Sequence, residues 1–166
     1  NWRYLRRRQR AQQALQAETN FRRAMEDSLQ TGMRALDLQG RITYVNASFC
    51  QMTGLSETEL VGQTPPFSFW PDEEVERNTL ILQEVFSNMA IRGGYEVRIR
   101  HKDGHVFDAR TYITPLIGAG GQHTGWMSAM TDITEPKRIR RELAASQERF
   151  ARVLNAIDTA VSVGPL

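Results

Sequence analysis

Residues 94–134 constrain the fold more than any other stretch of this 166-residue chain. Val97 and Ile99 alternate with Glu96, Arg98 and Arg100, and Phe107, Ala109, Thr111 and Ile113 alternate with Asp108, Arg110 and Tyr112. A period of two turns one side of each run toward a core. Asp103-Gly104 between them predicts a two-residue hairpin with positive φ at both central positions. Gly118-Ala119-Gly120-Gly121-Gln122 reads as a loop, and residues 126–130 as a third short strand. An antiparallel meander joins the three runs with the least chain.

Upstream, residues 32–38 and 41–45 read as two strands separated by Gln39-Gly40. Asn46 is placed as a helix N-cap, with Phe49 and Met52 facing inward and Gly54 ending the helix. Ser56-Glu57-Thr58-Glu59 is a capping box, stapled by Leu55 and Leu60. Thr64-Pro65-Pro66-Phe67-Ser68-Phe69-Trp70-Pro71 excludes regular helix, because proline removes donors and restricts its neighbour. Asp72, Glu73 and Glu74 then suit the positive end of a helix whose expected buried stripe is Val75, Leu82, Phe86 and Met89, stopped by Gly93-Gly94.

The formal net charge of +2 is unevenly distributed. Five of the 21 basic residues (Arg3, Arg6, Arg7, Arg8 and Arg10) stand in the first ten positions, leaving 16 against 19 acidic groups, a net of −3. A mildly acidic body argues against a nucleic-acid surface. Trp2 and Tyr4 beside the arginines match the cytoplasmic end of a transmembrane helix, so an anchor just upstream is expected, with the domain on the cytoplasmic side of the membrane. Residues 3–27 hold no Pro or Gly and predict a helix with a poor apolar seam. At the other end, Ile139, Leu143, Ser146, Phe150, Val153 and Ile157 follow coiled-coil spacing. That seam fits either a parallel dimer or a helix packed on its own domain.

Both halves of the chain carry motifs in one order: Gly40-Arg41-Ile42-Thr43-Tyr44-Val45-Asn46, Met52-Thr53-Gly54-Leu55, Glu59-Leu60-Val61-Gly62, Lys102-Asp103-Gly104, Gly125-Trp126 and Asp132-Ile133-Thr134. Residues 21–134 thereby resemble a PAS domain. The resemblance implies an α+β fold, a five-stranded antiparallel sheet in order 2-1-5-4-3 with helices crossing one face. It implies a sensory or relay module of a membrane-bound sensor histidine kinase, with Asp132 and Thr134 coupling the last strand to an output helix. The Pro-Pro-Phe-x-x-Trp-Pro segment and the His-Thr-Gly-Trp-Met run are similar to PAS domains of kinases of the C4-dicarboxylate-sensing type, in which the dicarboxylate binds an extracytoplasmic domain. Around the PAS span, residues 1–20 read as a juxtamembrane linker helix and 135–149 as a second linker. Residues 150–166 read as the start of another PAS domain, because Asn155-Ala156-Ile157-Asp158-Thr159-Ala160-Val161 resembles Asp27-Ser28-Leu29-Gln30-Thr31-Gly32-Met33. With no core of its own, that end is expected to fray or to be borrowed by a neighbour.

No catalytic set is legible. His101, His105 and His123 lack metal-ligand spacing on one element, neither glycine cluster has the Lys-Ser/Thr of a phosphate loop, and the lone Cys50 reads as a small hydrophobe. The family's haem histidine has no counterpart in residues 73–92. The flavin-reactive cysteine has none at Gly62-Gln63-Thr64-Pro65 either, so haem and photoactive flavin are disfavoured and any cofactor is unknown. The concave face that such a fold would offer a ligand is expected to be lined by Phe49, Met52, Trp70, Val85, Phe86, Val97, Ile99, Thr111, Met127 and Ala129, with the Trp70 N–H and Thr111 hydroxyl as polar groups. The expected partners are a second copy and the PAS and kinase domains downstream in the same chain. The rival readings are a ligand-free dimerisation module and the regulatory segment of a cyclic-dinucleotide synthase.

Overall fold

The computed structural model describes residues 1–88 and 93–162. Helix α1 (Trp2–Ser28) leads into strands β1 (Gly32–Asp37) and β2 (Ile42–Val45). Helices α2 (Ala47–Thr53) and α3 (Glu57–Leu60) follow, and a 3-10 turn (Asp72–Glu74) opens α4 (Val75–Asn88). Strands β3 (Tyr95–Arg100), β4 (Val106–Ile117) and β5 (His123–Asp132) complete the sheet, and α5 (Thr134–Ser162) closes the chain. The strands form one antiparallel sheet in order β2-β1-β5-β4-β3, as the resemblance implied. The chain divides into two units, Asn1–Asp132 and Ile133–Leu166.

Hydrogen-bond register decides which side of the sheet each residue serves. Leu36 pairs with Trp126, Ile113 with Ser128, Thr111 with Met130 and Val97 with Ala109, so these side chains share the buried face. Ile42 and Val45 are an odd number of residues apart, yet both are buried. A register shift between Ala35 and Leu36 absorbs the extra residue and turns both inward. Pro115 lies inside β4, beyond the last residue paired with β3, where the strand has one neighbour and a missing donor is tolerated.

The β3–β4 turn differs from expectation. It spans residues 101–105, and only Gly104 has positive φ. Asp103 keeps a negative φ, and its carboxylate accepts the His105 N–H at 2.9 Å, which closes the turn without a left-handed aspartate. In α4 the buried residues are Asn78, Leu82 and Val85, with Val75 and Phe86 half-buried, and Met89 lies outside the described residues. Neither α1 nor α5 has a buried residue. Rather than fraying after residue 150, α5 runs on to Ser162, since no Pro or Gly interrupts it between Pro136 and that point.

Asn46 ties the sheet to its first helix. Its Oδ1 accepts the backbone N–H of Phe49 and that of Met33, each at 2.9 Å, and its amide donates to the Thr31 carbonyl at 2.9 Å. One buried side chain thus caps α2 and holds the start of β1. Asn46→Ala should cost about 2–4 kcal/mol, a cap plus orphaned buried groups. Asn46→Asp should cost less, because it keeps both accepting contacts. Urea titration of the three proteins checks this ordering, and equal losses in the two variants would contradict it.

Candidate functional site

The pleat that buries Leu36 must also bury Arg34, two residues earlier on the same face. Arg34 is 5% exposed, and its guanidinium lies 4.8 Å from the Phe67 ring centroid, 5.5 Å from Phe69 and 5.8 Å from Phe49. The proline-rich segment builds this cradle. Phe67 and Phe69 stack at 5.2 Å, Trp70 meets Phe67 edge-on, and the Phe69 carbonyl accepts the Arg100 N–H at 2.8 Å, fastening the segment to β3. Ring faces attract a cation, which offsets part of the cost of its burial.

Around Arg34 lies a small interior cavity lined also by Asn78, Thr111, Tyr95, Trp70, Val97, Ile99 and Met130. Its volume is about 10 Å³, room for roughly one water. Asn78 and Thr111 are each 2% exposed. Among the described residues, Arg34 Nε and Nη1, both side-chain polar atoms of Asn78 and the Thr111 hydroxyl have no hydrogen-bond partner. Trp126 Nε1 is also unpartnered but belongs elsewhere, its ring stacked on Phe86 at 4.3 Å. Burial pushes the Arg34 guanidinium down to about 10, with Tyr95 pulling the other way, so it remains charged at neutral pH. Burial also holds the Tyr95 phenol above its usual range.

Of the side chains expected to line a pocket, Trp70, Val97, Ile99 and Thr111 do so. Phe49 and Val85 belong to the core, and Met52 and Phe86 pack on its edge half-buried. Met127 and Ala129 are a correction. Ser128 opposes Arg34 and Trp126 opposes Leu36, so Trp126, Ser128 and Met130 face inward and Met127 and Ala129 face the opposite side. Met130 takes their place. Arg34 and Asn78 were missed, although both were in phase: Arg34 alternates with Leu36, and Asn78 stands three residues after Val75 and four before Leu82.

Elsewhere, Asp132 ends β5 paired with Ala109, and Thr134 begins α5 two residues later. The β3–β4 turn brings together groups that sequence spacing kept apart. Ring and carboxylate atoms of His101, Asp103 and His105 lie within 4.8 Å of one another. Both histidine Nδ1 atoms contact the same Asp103 oxygen, which holds that carboxyl below its usual range, the His105 bonds being the main cause. Asp103 and His105 are exposed and His101 is half-buried. Cys50 is half-buried, its thiol pushed up by burial. A larger hollow, about 280 Å³, opens to solvent between the end of α1 and the start of α2, where Tyr44 donates to Glu26 at 3.0 Å.

An unpaired buried charge costs stability that a well-packed apolar side chain does not. In protein freed of small molecules, Arg34→Met is expected to stabilise the domain by about 1–3 kcal/mol. The folded value of Arg34 lies below the unfolded one, so the cost is fully present at neutral pH and falls away only above about pH 10. The gain should therefore be the same at pH 6 and pH 9, as read from urea midpoints. A destabilised variant at both pH values would show that the charge is satisfied.

Comparison with known proteins places the fold in a family. The profile described as "PAS fold" matches residues 20–133. The chain is 41% identical over 146 residues to the C4-dicarboxylate transport sensor protein DctS of Rhodobacter capsulatus, covering 88% of this chain and 22% of that protein. It is 29% identical over 126 residues to sporulation kinase C of Bacillus subtilis, covering 76% of this chain and 29% of that one. The chain thus spans less than a third of either relative. The crystal structure of a PAS domain from Colwellia psychrerythraea superposes with a TM-score of 0.58 at 26% identity, over 70% of this chain and 98% of that one. With this sheet order, the helices packed on one face and the profile spanning most of its length, the chain belongs to the PAS family.

Proposed function

We propose that this chain is the cytoplasmic sensory and relay module of a membrane-anchored sensor histidine kinase of the C4-dicarboxylate-sensing type. It regulates the kinase and does no chemistry itself. The observation that carries this reading is the 41% identity to a sensor protein over 146 residues, which is longer than the PAS span and so takes in flanking helix as well as domain. Among the described residues no helix is long and apolar enough to cross a membrane. In this reading the anchor precedes Trp2, and the arginines of the first turns of α1 face the membrane surface.

The relay runs along β5. Ser128 and Met130 present their side chains to the buried face, and Asp132 and Thr134 bracket the junction with α5. A change in packing at the inner face moves a strand whose last residue is two positions from the first residue of the output helix. Asp and Thr at such a junction can bond local backbone groups and set the angle at which the helix leaves. In the full-length protein, Asp132→Ala is expected to abolish signal-dependent change in autophosphorylation while leaving thermal stability of the domain nearly unchanged. Retained signal dependence would remove the junction from the relay.

α5 carries the coupling between copies. Ile139, Leu143, Phe150, Val153 and Ile157 form one stripe, each more than half exposed. Such a seam is covered when two helices pair in parallel, and two copies brought together at one membrane would pair more readily than free ones. Sedimentation equilibrium should show a weak dimer that Leu143→Glu with Val153→Glu dissociates at least tenfold. A wild-type chain that stays monomeric at hundreds of micromolar would rule out α5 as a dimer seam.

A further inference from the structure

Among the described residues, the sheet places the full positive charge of Arg34 in the interior with no counter-charge beside it. Arg34 is buried, two of its nitrogens have no acceptor among the described residues, and its nearest charged or ionisable influence is the neutral Tyr95 phenol. Beside it, the Asn78 amide and the Thr111 hydroxyl are equally buried and equally unpartnered, and all three line one cavity. Buried polar groups are ordinarily hydrogen-bonded, and buried charges ordinarily paired. Four of the unpartnered atoms around this one space, Arg34 Nε and Nη1, Asn78 Nδ2 and the Thr111 hydroxyl, can donate, and a partner common to them must accept hydrogen bonds and carry the negative charge that balances Arg34.

We propose that this cavity is an anion site for a small carboxylate, with Arg34 supplying the charge and Asn78 and Thr111 supplying further hydrogen bonds. The proposal deepens the sensory reading of the domain by assigning the chemical class of its ligand. A single guanidinium neutralises a monoanion. A phosphate would bring a second negative charge into a cavity with no other cation among the described residues that line it, at a large desolvation cost. The remaining walls, Val97, Ile99 and Met130, are apolar and suit an aliphatic remainder. The free volume of about 10 Å³ is room for roughly one water, so a carboxylate enters only where the Phe69–Trp70 wall gives way, which keeps the ligand small. A water molecule could satisfy Asn78 and Thr111 but leaves the charge uncompensated.

The test uses the 166-residue chain, unfolded in guanidinium and refolded to strip resident small molecules. Its melting temperature is followed against sodium acetate, propionate, succinate, phosphate and chloride at one ionic strength. Acetate or propionate should raise Tm by on the order of 5–10 °C at about 100 times Kd, and succinate, a dianion at neutral pH, should not. Phosphate and chloride should do no more than one another. Asn78→Asp supplies the protein's own carboxylate beside Arg34, so it should melt higher than wild type without ligand and no longer respond to carboxylates. Arg34→Met should also lose the response while melting cooperatively. The proposal fails if no carboxylate shifts the wild type, if phosphate or chloride matches the carboxylates, or if Asn78→Asp melts lower and still responds. Those outcomes leave the relay reading standing, because that reading is decided by signal-dependent phosphorylation of the full-length Asp132→Ala protein.

Discussion

The pairing of β5 with β1 at the centre of the sheet is the contact on which the rest depends. At Gly125 the strands approach so closely that a Cβ would lie 2.0 Å from the Leu36 carbonyl oxygen. Only glycine permits this approach, and it sets Trp126 opposite Leu36 and Ser128 opposite Arg34. Because side chains alternate, that one register sends Arg34, Thr111 and Met130 to the interior and Met127 and Ala129 to the other face. A slip of one residue would exchange these sets and expose Trp126.

The interior so formed carries an internal conflict that most cores lack. Aromatic rings from α2 and from the proline-rich segment close on a buried guanidinium, yet no acid among the described residues accompanies it. The arrangement lowers stability where a sensory domain can use it, since a group that relieves the conflict binds the folded state alone and shifts its free energy. Surface pairs such as Asp72–Arg100 and Glu73–Arg98 lie nearby but are largely exposed and contribute little. His101 and His105, by contrast, add little to the interior, since they and Asp103 mostly satisfy one another within an open turn.

The two long helices show where local preference acts without tertiary correction. α1 and α5 have no buried residue, and both form because long runs of Arg, Gln, Ala and Glu favour helix. The related segments at 27–33 and 155–161 make the point within one chain. In the first, Gln30 takes positive φ and Gly32 starts a strand because Met130 is there to pair with it. In the second, Ala160 stands in place of Gly32, no described strand pairs with it, and the helix continues.

The order of elements, the Asn46 cap, the capping box at Ser56 and the membership of the PAS family were all legible from residues alone, because each rests on interactions within a few positions or on spacing along the chain. The identity of the site was only half legible. Trp70, Val97, Ile99 and Thr111 could be placed by pattern, and Arg34 and Asn78 were in phase to be buried, but polarity argues for the surface and only packing overrules it. The facing of Met127 and Ala129 was beyond the sequence, since either phase of β5 presents apolar residues and the choice rests on the approach of Gly125 to the Leu36 carbonyl, far away along the chain. Tertiary structure decided that register, and through it which charge the core would hold: a strand's two faces are equivalent until a neighbour pairs with it.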